Sequence, residues 1–410
     1  MSTSGVTACN KTIQRLIKRV ARRLFAAGNL TPAKVDLLAD FPATRASMPE
    51  YYQLDRFADR EDYHGRLQAF INVKAVAADW DHSSGDRGQL SRVTLISPAA
   101  ASELLGMDLP WEVAASAIEN LNAVATPKSS PVDNIIEGWQ HGKSPGGVAA
   151  ENSEQFIDAL RVIEASRSMR AYENDILLRR LSVQLFGDSK RIEALARPLT
   201  FILNDDQTFD GESVFASLGL VKHPQPMLIS GPSSCAVKLE NQAIPLARPY
   251  LGLRPDVIIG IEQNGNPVNR IMTVENLASF NEAAQDGSNP DDLLLIYVAG
   301  NPTPSLLDAY ARIICSITPK SLMHWGDIDV GGFRIASRLS DKAKLNGFNL
   351  DLWNMNSAQV VSDKAERPND SKIDEVLKIC QRHNWIKEIA GMKQNPVFQE
   401  QEFMAWEVPK

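Results

Sequence analysis

Cysteine is scarce and scattered. Cys9, Cys235, Cys315 and Cys380 are the full complement, with no Cys-x-x-Cys pair and no histidine at zinc-ligand spacing. This excludes a disulfide framework and a structural zinc site, and it points to a reducing compartment, so the expected location is cytoplasmic. Long apolar runs are also missing: none approaches the ~18–20 residues that span a bilayer, and no membrane partner is expected. There is no secretory hydrophobic region. Positive net charge is absent as well. A balance of −7 argues against a protein that coats nucleic acid in general. It does not exclude an enzyme of DNA, because acidic catalytic sites and basic grooves cancel in a sum. Acids are missing from one stretch only: none precedes Asp36, whereas Lys11, Arg15, Lys18, Arg19, Arg22, Arg23 and Lys34 all do. An acid-free, arginine-rich start is also the form of a mitochondrial presequence, but this one runs straight into sequence patterned like a folded domain.

What is present is a soluble globular composition, 44% hydrophobic and 23% charged, in a chain of 410 residues. That length exceeds one ordinary core, so two or three domains are expected. Residues 11–27 have helical periodicity, with Ile13, Leu16, Ile17, Val20 and Leu24 on one face and basic residues opposite. The basic face is either simply solvated or reserved for phosphate or a partner. Thr31-Pro32 reads as the start of a short helix through Leu38. Asp62–Ala77 reads as a further helix, Gln89–Ile96 as a strand, and Ser97-Pro98 as the cap of a helix ending near Gly106. Helices followed by a hairpin are the outline of a winged-helix module, which commonly binds DNA. Residues 1–122 are therefore expected to form an N-terminal arm or winged-helix-like domain.

Residues 123–152 hold Pro127, Pro131, Pro145, Gly142, Gly146 and Gly147 and read as a linker, in which Trp139 and His141 would dock on a neighbour. From Ser153, a plausible N-cap, helical periodicity resumes. Leu185-Phe186-Gly187-Asp188-Ser189-Lys190-Arg191 then predicts a break at Gly187, a cap at Asp188 and a new helix to about Leu203. Ser189, Lys190 and Arg191 in a first helical turn, with Arg179 and Arg180 upstream, suit a DNA phosphate. An ordinary helix start with solvated cations fits the same residues. Residues 161–197 hold eight Lys/Arg against five Asp/Glu, a local balance of +3. A strand at Met227–Ser230 and a hairpin over Cys235–Leu246 complete what reads as a second helix-plus-wing unit, residues 153–255, expected to bind double-stranded DNA.

After Pro255 the rhythm changes. Arg270–Val274 is a strand ending in Glu275, Asp292–Ala299 an almost wholly apolar strand ending at Gly300, and Ser321–Trp325 a third; a helix follows each. Apolar central runs in strand–helix alternation predict a parallel sheet covered on both sides, with the ligand site at the carboxyl ends of the strands. Glu275, Gly300, Asp327 and Asp329 fall at those ends. Two residues apart on a strand, Asp327 and Asp329 would face one spot, where two carboxylates repel unless a cation or a proton lies between them. One Glu and two Asp make an all-oxygen site, suited to Mg²⁺ or Mn²⁺. Glu275 can alternatively serve as general acid or base, or all three acids can merely cap helices.

Thr273-Val274-Glu275-Asn276-Leu277, then Gly300-Asn301-Pro302, then Gly326-Asp327-Ile328-Asp329-Val330-Gly331-Gly332 resemble the Toprim pattern of topoisomerases, primases and related nucleases. Within it, Glu-Asn-Leu, Gly-Asp-Ile-Asp and the upstream Leu-Phe-Gly-Asp-Ser-Lys are similar to the Wadjet plasmid-defence nuclease JetD, a relative of the topoisomerase VI A subunit. Glu400-Gln401-Glu402 also resembles the end of JetD-type chains. The resemblance covers roughly residues 180–410. It implies a Toprim catalytic domain over 256–410, an α/β Rossmann-like parallel sheet preceded by α+β winged-helix-like (CAP-type) domains. It further implies a dimeric, Mg²⁺- or Mn²⁺-dependent DNA endonuclease beside a condensin-like complex, JetABC. Carried over by position, Glu275, Asp327 and Asp329 would be both the catalytic acids and the metal ligands. The topoisomerase branch cuts with a tyrosine nucleophile. Here the matching region offers Tyr172, without that branch's usual surroundings, and Tyr250 reads as part of a packed loop. Hydrolysis by water is therefore expected. The alternatives are a topoisomerase-like subunit with a tyrosine nucleophile and a non-enzymatic DNA-binding scaffold.

Overall fold

Ile13, Leu16, Ile17, Val20 and Leu24 are all buried on one face of the helix Thr3–Ala26, as their spacing requires. The computed structural model describes residues 3–81, 89–125, 130–169, 175–203, 213–360 and 365–409. The chain forms two units. One comprises Met1–Leu160 with Arg197–Asp205, the other Arg161–Ala196 with Asp206–Lys410.

In the first unit the long helix packs on the helix Phe57–Asn72, whose Tyr63, Leu67 and Phe70 are buried. Strands β1 (Ala39–Pro42), β2 (Val76–Asp81) and β3 (Gln89–Leu95) form an antiparallel sheet in the order β1-β3-β2. Three arginines of the basic face are engaged inside the unit, while Lys11, Lys18 and Arg22 are exposed. Arg15 pairs with Glu50 at 2.8 Å, Arg19 donates to Asp40 O at 3.1 Å, and Arg23 donates to Leu38 O at 2.9 Å. Ser97 caps the helix Pro98–Leu105, and Gly106 ends it at φ +63°, the left-handed conformation that favours glycine.

Three expectations for this unit are corrected. The helix placed at Thr31–Leu38 is a single 3-10 turn, Lys34–Leu37, because Asp36 accepts from Ala33 N and starts the turn there. The helix placed at Asp62–Ala77 lies at Phe57–Asn72, and Val76 and Ala77 already belong to β2. The stretch read as a linker carries the helix Ser130–Gln140. Its Trp139 is fully buried, donates to Val148 O at 3.1 Å and meets the ring of Phe156. Its glycines and prolines serve close packing: a Cβ on Gly138 would strike the Pro145 ring. His141 docks on Phe25 O at 2.9 Å.

In the second unit β4 (Ile176–Leu177) pairs in parallel with β5 (Leu220–Val221). Then follow β6 (Met227–Ser230), β7 (Cys235–Lys238), β8 (Ala243–Pro245), β9 (Leu251–Leu253), β10 (Gly260–Gln263), β11 (Arg270–Val274), β12 (Leu293–Tyr297), β13 (Ser321–Trp325) and β14 (Asp351–Leu352). The main sheet runs β14-β13-β11-β12-β6-β9. Its first four strands are parallel, while β6 and β9 each run antiparallel to their neighbours, so the sheet is mixed. The expected parallel core is present, but the hairpin-like segment before residue 256 does not stand as a separate wing. β6 and β9 extend this sheet, and β7 and β8 pair with β10 in a second sheet.

Alternation sorts the core. Ile271, Leu294, Ile296 and Leu322 face the helices Pro304–Ile317 and Val330–Lys344. Met272, Val274, Leu293, Leu295, Met323 and Trp325 face Phe280 and Ala283 of the helix Leu277–Gln285. Each fully buried aliphatic side chain contributes about 1.5–3 kcal/mol, and side chains on both faces of the central strands hold the three strand ends in register. Among the described residues no helix is long and apolar enough to cross a membrane.

Candidate active site

The carboxyl ends of β11, β12 and β13 are tied by backbone bonds: Glu275 N donates to Trp325 O at 3.0 Å, Val298 N to Val274 O at 3.0 Å and Gly300 N to Glu275 O at 3.4 Å. Chain direction therefore delivers Glu275 and Asp327 to one place. A cleft of about 690 Å³ opens there, lined by Glu275, Asn276, Tyr297, Gly300, Asp327 and Glu402 among others. Ala299 and Gly300 both turn at positive φ, +56° and +66°; the alanine is strained there.

Glu275 Oε2 accepts from the backbone N–H of Asp327 at 3.2 Å. Burial first, and then the charge of Asp327, push the Glu275 carboxyl up to about 8. Burial also raises Asp327, against the hydrogen bond its Oδ1 accepts from Gln401 N at 2.6 Å. Gly326 is required between them, because a Cβ there would collide with Glu275 Oε2 and with His324 Nε2. That imidazole is fully buried; its Nδ1 contacts Thr273 Oγ1 at 2.9 Å, and its Nε2 has no hydrogen-bond partner. Tyr297 is raised by burial and by Glu275, so it is a phenol rather than a phenolate.

Asp329 is placed differently from its neighbour. The strand ends at Trp325, so the alternation that would aim residues 327 and 329 together no longer applies. Asp329 caps the helix Val330–Lys344, its Oδ1 accepting from Gly332 N at 2.7 Å. Among the described residues no group of three or more His, Cys, Asp and Glu side chains stands as a ready metal cluster. Two carboxylates, Glu275 and Asp327, share the cleft and repel each other. A hard cation that takes one or two protein carboxylates fits this donor set.

Residues 259–408 match the family model of Wadjet protein JetD, C-terminal. No curated protein matches the chain. The matched span includes Glu275, Gly300, Asp327 and Asp329 and also the last strap of chain over the cleft.

That strap is the part of the JetD domain that residue-by-residue reading underestimates. Ile328 and Gln399 exchange backbone bonds of 2.8 and 3.0 Å. Gln401, fully buried, donates from Nε2 to Trp325 O at 3.0 Å and accepts from Asn276 N at 2.8 Å. Glu402 accepts from Asn276 Nδ2 at 2.9 Å. The Glu400-Gln401-Glu402 run was the available signal. Gln401 thus braces the ends of two strands, and Glu402 adds a carboxylate to the cleft.

The basic residues upstream of the JetD match lie on the helices Leu178–Phe186 and Arg191–Ala194 and the turn between them. Gly187 breaks the chain at φ +71°, and Asp188 Oδ1 accepts from Lys190 N at 2.8 Å. The N–H of Lys190 is therefore taken internally, and the helix expected to run to about Leu203 is a single turn, Arg191–Ala194, followed by a second helix, Ala196–Leu203. Ser189, Lys190, Arg179 and Arg180 are exposed, with Arg179 3.6 Å from Glu193; Arg191 is half-buried. The same segment reaches the sheet: Ser305 Oγ donates to Asp175 at 2.7 Å, and Leu178 and Phe215 share a cavity of about 340 Å³ with Val298, Ala299 and Asn301. Tyr250 packs against Phe280, centroids 5.5 Å apart. Tyr172 lies outside the described residues.

Proposed function

We propose that the chain is the nuclease subunit of a Wadjet-type anti-plasmid complex, a Toprim endonuclease that hydrolyses double-stranded DNA with Mg²⁺ or Mn²⁺. The carrying observation is the pair of half-buried, mutually repelling carboxylates, Glu275 and Asp327, at adjacent parallel strand ends in an open cleft within the JetD match. Asn276, Leu277 and Ala278, the first turn of the helix Leu277–Gln285, line the same cleft. A helix N-terminus favours an anion, so the cleft offers acids for a cation beside a dipole for a phosphate.

Glu275 and Asp327 would hold the metal, with Asp329 contributing through the oxygen that the cap leaves free. A bound divalent cation supplies charge neutralisation at the phosphate. The chain's own residues do the rest. Asp327 is oriented by Gln401 N and holds Glu275 through its own N–H. Alternatively, Glu275 left off the metal, with the pKa that burial raises to about 8, would take a proton from water or return one to the leaving oxygen near neutral pH. Arg179, Arg180, Ser189, Lys190 and Arg191, on and between the short helices upstream of the matched span, would contact the DNA backbone. A homodimer would cut both strands, beside the condensin-like JetABC complex.

The test is cleavage of supercoiled plasmid by the full chain, alone and with its motor complex, in Mg²⁺ or Mn²⁺. Free linear product that disappears in Asp327→Ala is expected. Protein covalently joined to DNA ends and lost in Tyr172→Phe would replace hydrolysis with a tyrosine nucleophile. DNA that stays intact in every metal even with the motor complex would refute the nuclease reading.

A further inference from the structure

No lysine, arginine or histidine is among the described residues that line the cleft of Glu275 and Asp327. A phosphate brought to a cation there has to be met by neutral donors. Asn276 and Asn281 are two, and each already gives an amide hydrogen away, to Glu402 Oε1 at 2.9 Å and to Leu277 O at 2.8 Å. Tyr297 is the third. It ends β12, in register with Val274, the residue before Glu275. Its half-buried ring packs on Phe280, centroids 5.7 Å apart, and Phe280 meets Tyr250 at 5.5 Å. Such packing asks for a ring alone, and Phe280 serves it without a hydroxyl. The Tyr297 hydroxyl makes no hydrogen bond among the described residues and is not a buried atom. A phenol keeps its hydrogen at neutral pH, with an ordinary pKa of about 10. The cleft wall therefore carries an uncommitted donor beside its acids.

We propose that the Tyr297 hydroxyl holds the scissile phosphate, donating a hydrogen bond to a non-bridging oxygen. This rests on the nuclease reading and names the side chain that meets the anion inside the cleft, where that reading offers a helix N-terminus. The phenol forms no bond to phosphorus. It orients the phosphate and steadies the negative charge that builds on its oxygens as water attacks, the use of a preorganised donor wherever charge develops. A tyrosine nucleophile employs the same group differently, by surrendering its proton and joining the DNA. The two roles give different products.

The test compares the full chain with Tyr297→Phe, which keeps the ring on Phe280. Tyr250→Phe is the control, because Tyr250 packs on the same ring but does not line the cleft. Binding of the phosphodiester thymidylyl-thymidine in Ca²⁺, followed by ³¹P NMR, reads the phosphate contact. Plasmid cleavage with the motor complex in Mg²⁺ or Mn²⁺ reads the rate, Mn²⁺ calorimetry the metal site, and melting temperature the fold. Tyr297→Phe is expected to bind the phosphodiester about tenfold more weakly and to cleave about 10- to 100-fold more slowly, the scale of one hydrogen bond to a charged group. Its Mn²⁺ affinity and melting temperature should not change, and Tyr250→Phe should match the wild type throughout. No phosphodiester binding by the wild type, or unchanged binding in Tyr297→Phe, would overturn the proposal. So would losses in Tyr297→Phe that come with weaker Mn²⁺ binding or a lower melting temperature. Protein joined to the cut ends in the wild type and absent in Tyr297→Phe would overturn it in favour of a nucleophile. A wild type that does not cleave would sink the nuclease reading, and phosphodiester binding would still decide the hydroxyl. Cleavage undiminished in Tyr297→Phe would sink only the hydroxyl.

Discussion

Replacing Glu275 by glutamine should stabilise the metal-free protein while abolishing its proposed activity. Glu275 rises from an ordinary 4.5 to about 8 in the folded chain, by burial first and by Asp327 second. As pH rises above 4.5 the unfolded chain gives up this proton and the folded chain keeps it. Stability therefore falls across the window from 4.5 to about 8 and is flat above it. At 1.36 kcal/mol per unit, the interval from 4.5 to pH 7 corresponds to a penalty of about 3 kcal/mol. The cleft is open to water, which screens part of this, so a gain of about 1–3 kcal/mol at pH 7 is expected in Glu275→Gln. The substitution keeps an oxygen to accept from Asp327 N, and its amide can be donated to the unpartnered Nε2 of His324. Urea denaturation of both proteins in EDTA, from pH 4.5 to 9, measures the difference. The curves should meet near pH 4.5 and separate upward. In Mg²⁺ the wild type should recover stability by mass action and the variant should not. A variant less stable than the wild type at pH 7, or a difference that ignores pH, would refute the account of the carboxylate pair.

Gln401→Ala should leave Asn276 N without its partner, at about 1–3 kcal/mol, remove the second of the two bonds that Trp325 O accepts, and lower the proposed plasmid cleavage as well as the urea midpoint. His383, lowered to about 4 mainly by burial, accepts from Lys344 Nζ at 3.1 Å and donates to Ser337 Oγ at 2.6 Å. Because its folded pKa lies below the usual 6.5, stability should be intact above 6.5 and decline as pH falls toward 4. His383→Gln should flatten that acid limb in a pH series of melting temperatures.

Some of this was legible in residue order alone. β11, β12 and β13 are short apolar runs bounded by polar turns, and a parallel strand buried on both faces has little freedom to be anything else. Glu275 and Asp327 were readable for the same reason: a strand end fixes where the next residue goes. Asp329 was not, because alternation stops with the strand at Trp325 and the helix N-terminus claims the side chain. β6 was legible as a strand at Met227–Ser230, but its place in the main sheet, and β9 altogether, were hidden by antiparallel partners distant in sequence and by the shortness of β9. The stretch 130–152 misled because proline and glycine there serve tight packing around Trp139 rather than freedom of the chain. Gln401 was invisible in isolation, an amide in a polar run whose partners lie far upstream.

The strap formed by Gln399, Gln401 and Glu402 bears on when the site can exist during synthesis. Asp327 and Asn276 both wait for Gln401, and the ribosome makes it long after the strands it braces. A nascent chain can lay down β11, β12 and β13 and still lack the residue that orients its acids. Arg270, in the first of those strands, likewise waits for Pro409 O. A product stalled upstream of Gln401 therefore carries the two acids without the brace that aligns them.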